Sequence, residues 1–191
     1  MATIGIIYFS GYGHTARQAQ AVADGARGVE GARVTVFEVG RDGLLADGAW
    51  ETLATQDAFI YGSPTYMGGP AWQFKRFADD SSKPFRTQAW KDKIAAGFTN
   101  SASVNGDKFS TLAYFVTLSQ QHGQIWIGAG LMPASTKANG PDDVNWTGGF
   151  TGAMAISPAD ASPEEAPRGG DLETARLLGA RVAAYAVRTR G

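Results

Sequence analysis

Three apolar runs of strand length are each followed by a short polar loop that contains glycine, and this repeated pattern constrains the fold most strongly. The loops comprise residues 10–15, 64–69 and 99–107. Because loops at the carboxyl ends of parallel strands form the ligand-binding edge of an open α/β sheet, the three loops are predicted to build one site. The first loop offers hydroxyl groups for a phosphate, and the other two suit a flat ring. The pattern therefore indicates flavin mononucleotide (FMN).

Strand and helix patterns alternate along the whole chain. Helices are predicted after each loop, near residues 49–53 and from Asp171 onward, with Thr15 capping the first helix and Pro70 at the start of the third. The alternation predicts an α/β fold, a doubly wound five-stranded parallel sheet with helices on both faces in three α/β/α layers. The predicted strands are residues 4–9, 33–38, 57–62, 93–98 and 124–127, with residues 150–156 resuming the last one.

The length of 191 residues suits one domain that is large enough to bury a core. Residues 1–191 are therefore predicted to form a single domain, with an irregular insertion at about 128–149. Residues 157–170 are rich in Pro, Ser and Gly and are interpreted as a linker before the last helix.

Composition excludes several classes of protein. The net charge is −1 and charged residues make up 18% of the chain, so no basic field exists for nucleic acid or an anionic membrane surface. The absence of cysteine excludes disulfides, and with two separated histidines no metal site is expected. The apolar runs are far shorter than a membrane span and the N-terminus shows no leader pattern, so a cytoplasmic protein without membrane insertion is expected.

The first loop is open to two nucleotide-binding interpretations. Residues 11–16 match the G-x-G-x-x-A dinucleotide fingerprint, and Glu38 ends the next strand, where a ribose-binding acid would lie. Ser10 and Thr15 instead provide hydroxyls for a terminal phosphate monoester, and the chain leaves little room for a separate catalytic domain. FMN is preferred, while a dinucleotide-binding module and a plain strand-to-helix turn remain the alternatives.

The second and third loops offer groups for a ring. Tyr66 and Met67 are predicted to pack on it, with glycines beside them that allow close approach of the backbone. Residues 99–107 are mostly small or polar and include no aromatic residue, so their amides and hydroxyls suit a pyrimidine edge and a ribityl chain. A turn with Tyr66 packed on the next helix, and a flexible surface loop, are the structural alternatives.

The two histidines carry little weight in the prediction. His14 lies in the first loop, where an edge contact to the ligand and a solvated side chain are equally open. His122 ends the fourth helix, where a capping or solvated role is favoured over a catalytic one. No catalytic side chain is required beyond a flavin, with Tyr12 and His122 as candidates for proton transfer.

With these loops assembled, the chain resembles the flavodoxin-like NAD(P)H:quinone oxidoreductases of the tryptophan-repressor-binding-protein (WrbA) type. The resemblance runs nearly end to end and is strongest in residues 8–15, 21–26, 62–68 and 73–77. It implies a flavodoxin-like fold, bound FMN and a homo-oligomer, with a tetramer favoured and active sites near subunit contacts.

The resemblance also implies the residues of the site. Gln121 stands where the family has a flavin-side histidine, and Phe85 where it has a tryptophan near the substrate. Tyr12 is implied to meet the nicotinamide nucleotide as well, which makes Tyr12 and Phe85 the expected substrate contacts. The loops and the resemblance together predict these FMN-binding residues: Ser10, Tyr12, Gly13, His14, Thr15, Pro64, Thr65, Tyr66, Met67, Gly68, Thr99, Asn100, Ser101, Ala102, Ser103, Asn105, Gly106 and Gln121.

The function predicted from the sequence is an FMN-dependent oxidoreductase that passes hydride from NAD(P)H through the flavin to a quinone-type acceptor. The alternative is a flavodoxin-like FMN electron carrier without substrate turnover of its own. Such carriers commonly shield the flavin with an aromatic residue from the third loop and carry charge for docking to redox partners. The near-neutral chain and the third loop without an aromatic residue favour the enzyme.

Overall fold

The structure, a computed structural model, describes residues 1–190. Strands and helices alternate along most of these residues, as the hydrophobic pattern predicts. The strands are β1 (Ala2–Tyr8), β2 (Ala32–Glu38), β3 (Ala58–Tyr66), β4 (Gly69–Pro70), β5 (Ile94–Ser101), β6 (Ile125–Trp126) and β7 (Ala153–Ile156). The helices are α1 (His14–Arg27), α2 (Ala49–Ala54), α3 (Trp72–Asp80), α4 (Ser82–Arg86), α5 (Lys108–Gln121) and α6 (Gly169–Arg190).

The sheet has the order β2-β1-β3-β5-β6, and all neighbours along this path are parallel. The fifth position is shared by two short strands. Strand β6 pairs with the start of β5, where Ile94 lies opposite Ile125, and β7 pairs with its end, where Ser101 lies opposite Ile156. The predicted doubly wound parallel sheet is confirmed, but it has seven strands rather than five. Strand β4 forms a hairpin with β3, and the fifth position is divided between β6 and β7, with the irregular residues 127–152 between them.

Alternate residues of β1 point to opposite faces of the sheet, as the pleat requires. Ile4 and Ile6 belong to the core cluster that α1 and α6 cover. Ile7 belongs to the second cluster, whose aromatic side chains come mainly from β3, α3 and α5. Helices therefore cover both faces of the sheet, which explains why the sequence of β1 is almost continuously apolar.

Three predicted helix starts differ from the structure. Helix α1 begins at His14 with Gly13 at its N-cap in a left-handed conformation (φ 93°), so Thr15 lies inside the helix and does not cap it. Pro70 lies in β4, which forms an antiparallel hairpin with β3, and α3 begins only at Trp72. Helix α6 begins at Gly169, two residues before Asp171. Among residues 1–190, no helix is both long and apolar enough to cross a membrane.

Candidate functional site

The three predicted loops meet at the carboxyl edge of the sheet around a cavity of about 470 Å³. This volume lies within the range of roughly 300–1,000 Å³ that is typical of small-molecule and cofactor sites. Each loop contributes residues to the lining, and a fourth segment closes it. The lining residues are Tyr12, His14, Thr15, Pro64, Tyr66, Asn100, Ala102, Ser157, Pro158, Ala159 and Ala161.

The first loop forms a cradle for an anion at the start of α1. The Ser10 hydroxyl accepts hydrogen bonds from the backbone N–H groups of Gly13 and Ala16, each at 3.1 Å, which fixes the shape of the loop. Within residues 1–190, the N–H groups of His14 and Thr15 donate to no protein acceptor. Thr15 is only 2% exposed and is one of the residues that line the cavity. Unpaired N–H groups at the positive end of a helix dipole favour a phosphate.

Residues 157–166, here called the strap, cross over the first loop. His14 Nε2 donates to the carbonyl oxygen of Ala161 at 2.9 Å. Arg17 Nη1 donates to the carbonyl oxygens of Pro163 and Glu164, at 2.5 and 2.6 Å. The segment interpreted as a linker is thus tied to α1 and supplies four residues of the cavity lining. Its composition predicted an irregular backbone but gave no signal for where that backbone lies.

The second loop contributes Pro64 and Tyr66 to the cavity. The Tyr66 ring lies edge-on to Tyr12, with centroids 6.2 Å apart. Burial raises the pKa of Tyr66, and the neighbouring Tyr12 adds to the shift, so its hydroxyl stays a neutral donor. Met67 and Gly68 form the turn between β3 and β4 and, unlike Pro64 and Tyr66, are not among the lining residues of this cavity.

Two predicted contacts hold the second and third loops together. Thr65 and Thr99 are buried, and their hydroxyl groups hydrogen-bond to each other at 2.8 Å. Thr65 also pairs with the Thr111 hydroxyl at 2.8 Å, and Thr99 donates to the carbonyl oxygen of Ser63 at 2.7 Å. The hydroxyl groups of Thr65 and Thr99 thus bond to other protein groups, and these bonds hold the neighbouring cavity residues in place.

The third loop reaches the cavity through Asn100 and Ala102. The Asn100 side-chain oxygen accepts a hydrogen bond from the Ser157 hydroxyl at 2.8 Å, which joins this loop to the strap. Ser101, Ser103 and Asn105 direct oxygen atoms towards a lysine, Lys108, which sequence reasoning did not single out. Gly106 has a left-handed backbone (φ 52°) at the turn before α5.

A second cleft of about 320 Å³ adjoins the cavity. Tyr12 and Tyr66 line both, so the two spaces meet at this aromatic pair. Tyr12 is 76% exposed, and Trp72 and Arg41 lie farther along the cleft. Exposed rings beside a guanidinium group can contact a flat anionic molecule, so the cleft provides a place for a second substrate next to the first.

Phe85, Gln121 and His122 lie elsewhere. They line a third cavity of about 170 Å³ that shares no lining residue with the other two. Helix α5 begins at the carboxyl edge and runs back along the sheet, so its last residue, Gln121, lies at the amino edge. Within one chain the fold therefore does not bring Gln121 to the predicted flavin loops, nor Phe85 to Tyr12.

His122 is held as a neutral side chain at this amino edge. The Ser81 hydroxyl donates to the carbonyl oxygen of Ala78 at 2.6 Å, so it accepts from His122 Nε2 at 2.9 Å. The imidazole is 2% exposed and lies 4.2 Å from the Trp90 ring, between centroids. Burial lowers the pKa of His122 to about 4. His122 is the C-cap residue of α5, as the capping alternative predicts, but its side chain is buried rather than solvated.

Comparisons with known proteins agree with this geometry. The chain is 47% identical over 178 residues to "Flavodoxin FldP" of Pseudomonas aeruginosa (strain UCBPP-PA14), which covers 93% of each chain. It is 34% identical over 202 residues to an "NAD(P)H dehydrogenase (quinone)" of Geotalea uraniireducens (strain Rf4), covering 96% of this chain and 97% of that one. A scan against family models gave no match.

Solved structures place the fold in the same group. A flavodoxin, WrbA-like protein from Agrobacterium tumefaciens is 44% identical, with a TM-score of 0.79 and coverage of 100% of both chains. A flavodoxin from the domain Archaea shares the fold at a TM-score of 0.63 with 16% identity. The chain belongs to the family of flavodoxin-like proteins.

Proposed function

We propose that this protein is an FMN-dependent oxidoreductase that takes hydride from NAD(P)H and passes electrons to a quinone-type acceptor. One observation carries the proposal: a cavity with a phosphate cradle at one end meets an open aromatic cleft at Tyr12 and Tyr66. A bound flavin would lie beside a space in which a second flat molecule can reach it.

The residues present fit FMN. The unpaired N–H groups of His14 and Thr15 and the Thr15 side chain would hold the phosphate. Pro64 and Tyr66 would contact the ring from one side, and Asn100 with the free amides of the third loop would bind its polar edge. When bound, FMN supplies hydride acceptance and the onward transfer of two electrons.

The protein's own groups orient and shield the reactants. The strap lies over the phosphate end, where it is held by its bonds to His14 and Arg17. Tyr12 and Tyr66 shape the entrance, and Tyr66 keeps its proton because burial raises its pKa. No obligatory acid or base is needed from the chain, since the proton that accompanies quinone reduction is available from water at the entrance, where Tyr12 is exposed.

The alternative function is an FMN electron carrier, and the relative named as a flavodoxin at 47% identity favours it. The relative named as an NAD(P)H dehydrogenase (quinone) supports the enzyme. So does the cavity lining, in which the third loop is represented by Asn100 and Ala102 rather than by an aromatic shield. A ring left open on the cleft side suits turnover of a second substrate.

An anaerobic titration of the FMN-loaded protein with NADPH and, separately, NADH tests the proposal. We expect the absorbance of oxidised flavin to bleach with one equivalent of nicotinamide nucleotide and to return on addition of a quinone. Dithionite serves as the control that the bound flavin is reducible. Flavin that dithionite reduces, but neither nucleotide does, would contradict the enzyme and favour the carrier.

The predicted homo-oligomer, with a tetramer favoured, belongs to the same proposal. Phe85 and Gln121 lie at the edge opposite the flavin cavity of their own chain, so only another chain can bring them to a flavin. Light scattering coupled to size exclusion measures the mass directly. A monomer at all concentrations would remove Phe85 and Gln121 from the predicted site.

A further inference from the structure

Lys108, the first residue of α5, is a buried cation surrounded by oxygen atoms. Its side chain has 0% exposure. The ammonium Nζ donates to the Ser101 hydroxyl at 2.7 Å and to the carbonyl oxygens of Ser103, Val104 and Asn105 at 2.5, 3.0 and 3.2 Å. Three consecutive carbonyls of the third loop therefore turn inwards to one charge.

This arrangement determines where the loop's N–H groups point. In a planar trans peptide, the C=O of one residue and the N–H of the next point in opposite directions. Carbonyls of 103–105 directed at the ammonium thus turn the N–H groups of 104–106 away from it. Within the part of the chain that the structure describes, these N–H groups donate to no protein acceptor. The loop offers a row of free donors next to Asn100 and Ala102, which line the cavity.

The backbone of the loop is shaped around the lysine. Gly106 and Asp107 both adopt left-handed conformations, with φ of 52° and 50°. A Cβ at position 106 would lie 2.0 Å from Ser101 Oγ, the same oxygen that Lys108 binds. This tight turn places the start of α5 next to the loop. If the Lys108 ammonium is removed, the three carbonyls that it binds face a buried space without a hydrogen-bond donor.

A carboxylate balances part of the charge. Asp171 of α6 is buried, and its Oδ2 accepts from the backbone N–H of Ile156 at 2.8 Å. Its Oδ1 has no hydrogen-bond partner within residues 1–190. Burial lowers the pKa of Lys108 to about 8, against the attraction of Asp171, and burial raises the pKa of Asp171 to about 6. Four oxygen acceptors surround Nζ, more than the two N–H groups of a neutral amine can serve, so the lysine is a cation beside the loop.

We propose that Lys108 is a positioning residue for the flavin: its ammonium holds the third loop with the N–H groups open to the pyrimidine edge of FMN, and its charge favours the reduced flavin. The pyrimidine edge gains negative charge on reduction, and a cation behind the donors stabilises that form more than the oxidised one. The inference rests on the proposed binding of FMN but not on the identity of the electron donor or acceptor.

The test compares Lys108→Met with Lys93→Met as a matched control. Lys93 Nζ also donates to a backbone carbonyl, that of Ala54 at 2.7 Å, but it lies at the amino edge just before β5. The dissociation constant of oxidised FMN is measured by fluorescence, and the reduction potential of bound FMN by equilibration with a redox dye. Circular dichroism checks that each variant is folded.

We expect Lys108→Met to bind oxidised FMN about tenfold more weakly and reduced FMN about tenfold more weakly again, which lowers the potential by about 30 mV for a two-electron couple. Lys93→Met leaves both quantities unchanged. A Lys108→Met protein with weaker binding but an unchanged potential would overturn the electrostatic role, and unchanged binding would overturn the inference entirely. If this variant does not fold, Lys108→Gln is judged by the same outcomes. Failure of the wild-type chain to bind FMN would instead contradict the proposed function.

Discussion

The two edges of the sheet both carry cavities, but they are built in opposite ways. At the carboxyl edge, the first and third loops leave backbone N–H groups without protein partners around a cavity of about 470 Å³. At the amino edge, the cavity of about 170 Å³ adjoins His122, which is already paired with Ser81 and packed on Trp90. The carboxyl edge offers free backbone donors, which suit an anion. At the amino edge His122 Nε2 is paired within the fold, and its other nitrogen, Nδ1, is a buried acceptor without a partner in residues 1–190, which does not suit an anion.

The difference follows from the direction of the chain. Helices α1 and α5 both begin at the carboxyl edge, where their first N–H groups and positive dipole ends face the loops. The amino edge receives the end of α5, whose C-cap residue His122 bonds back through its backbone N–H to Leu118. An anionic ligand is therefore expected at one edge only, and variants at matched positions can test this.

The largest difference in FMN affinity is expected between alanine variants of two glycines with positive φ, one at each edge of the sheet. At Gly13 (φ 93°) a Cβ would lie 2.6 Å from Pro163 Cγ of the strap, whereas at Gly123 (φ 68°) it would lie 3.2 Å from the flexible end of Gln88. Gly13→Ala should weaken FMN binding about 100-fold, or about 2.7 kcal/mol, because it distorts the phosphate cradle. Fluorescence titration measures the affinity.

Gly123→Ala is the control for this pair. It should lower the free energy of unfolding by about 1 kcal/mol through backbone strain but change the affinity for FMN less than about twofold. Equal losses of affinity in the two variants would show that general destabilisation, rather than the cradle, governs binding.

A smaller, ligand-specific effect is expected at Thr15. Thr15 lines the cavity, and Thr15→Val keeps the shape of its side chain while removing the hydroxyl. FMN should bind about tenfold more weakly, a loss of about 1.4 kcal/mol, since one hydrogen bond to a charged group is lost. Riboflavin, which has no phosphate, should bind as before. If riboflavin loses as much affinity as FMN, Thr15 does not contact the phosphate.

Release of the strap should have a kinetic effect. Arg17→Met removes two hydrogen bonds to strap carbonyls. We expect FMN to dissociate about fivefold faster, because the two lost hydrogen bonds lower the free-energy barrier to dissociation by about 1 kcal/mol. Arg27→Met, on the same helix but paired with exposed Asp24, is the control. Stopped-flow fluorescence measures both rates, and equal rates would argue against the strap as a cover.

The smallest effect on FMN is expected at His122, where the measurable change is in stability. Its pKa is about 4 in the folded chain and near 6.5 when unfolded, so neutral His122 stabilises the fold above pH 6.5 and this contribution is lost as the pH falls through 4. When the pH falls from 6.5 to 4, the free energy of unfolding of the wild type should decrease by on the order of 2–3 kcal/mol more than that of His122→Asn. Urea unfolding at each pH measures the difference.

Comparison with His122→Asn cancels the opposite contribution of Asp171, whose raised pKa adds stability at low pH that is lost as the pH rises through about 6. Affinity for FMN at pH 7 should stay within about twofold of wild type. If the free energy of unfolding depended on pH in the same way for wild type and His122→Asn, the imidazole would not be buried and neutral.

The sequence predicted the carboxyl edge better than the amino edge, for physical reasons. The runs that became β1, β3 and β5 were recognisable because strands covered on both faces are continuously apolar, and short loops after them must lie at one edge. Gln121 and Phe85 are expected only from a resemblance, and one chain places them at the other edge. Gln121 ends α5, which runs antiparallel to the strands, and Phe85 lies on α4, which follows α3 along the same direction.

Two contributors to the site had no usable signal. The strap has an irregular, proline-rich composition that fits a linker equally well, and only its long-range bonds to His14 and Arg17 reveal its position. Lys108 lies in the first turn of a helix, where a lysine is usually solvated, and its burial depends on three carbonyls brought together by the left-handed turn at Gly106 and Asp107.

Hydrogen–deuterium exchange with and without FMN tests the central claim, that the ligand binds at the carboxyl edge, most directly. We predict slower exchange on FMN binding in residues 11–16 and 102–107 and in the strap, with no change in residues 28–31 and 55–57, two connections at the amino edge away from Phe85 and Gln121. Protection confined to the amino edge, or the absence of protection at saturating FMN, would contradict the account.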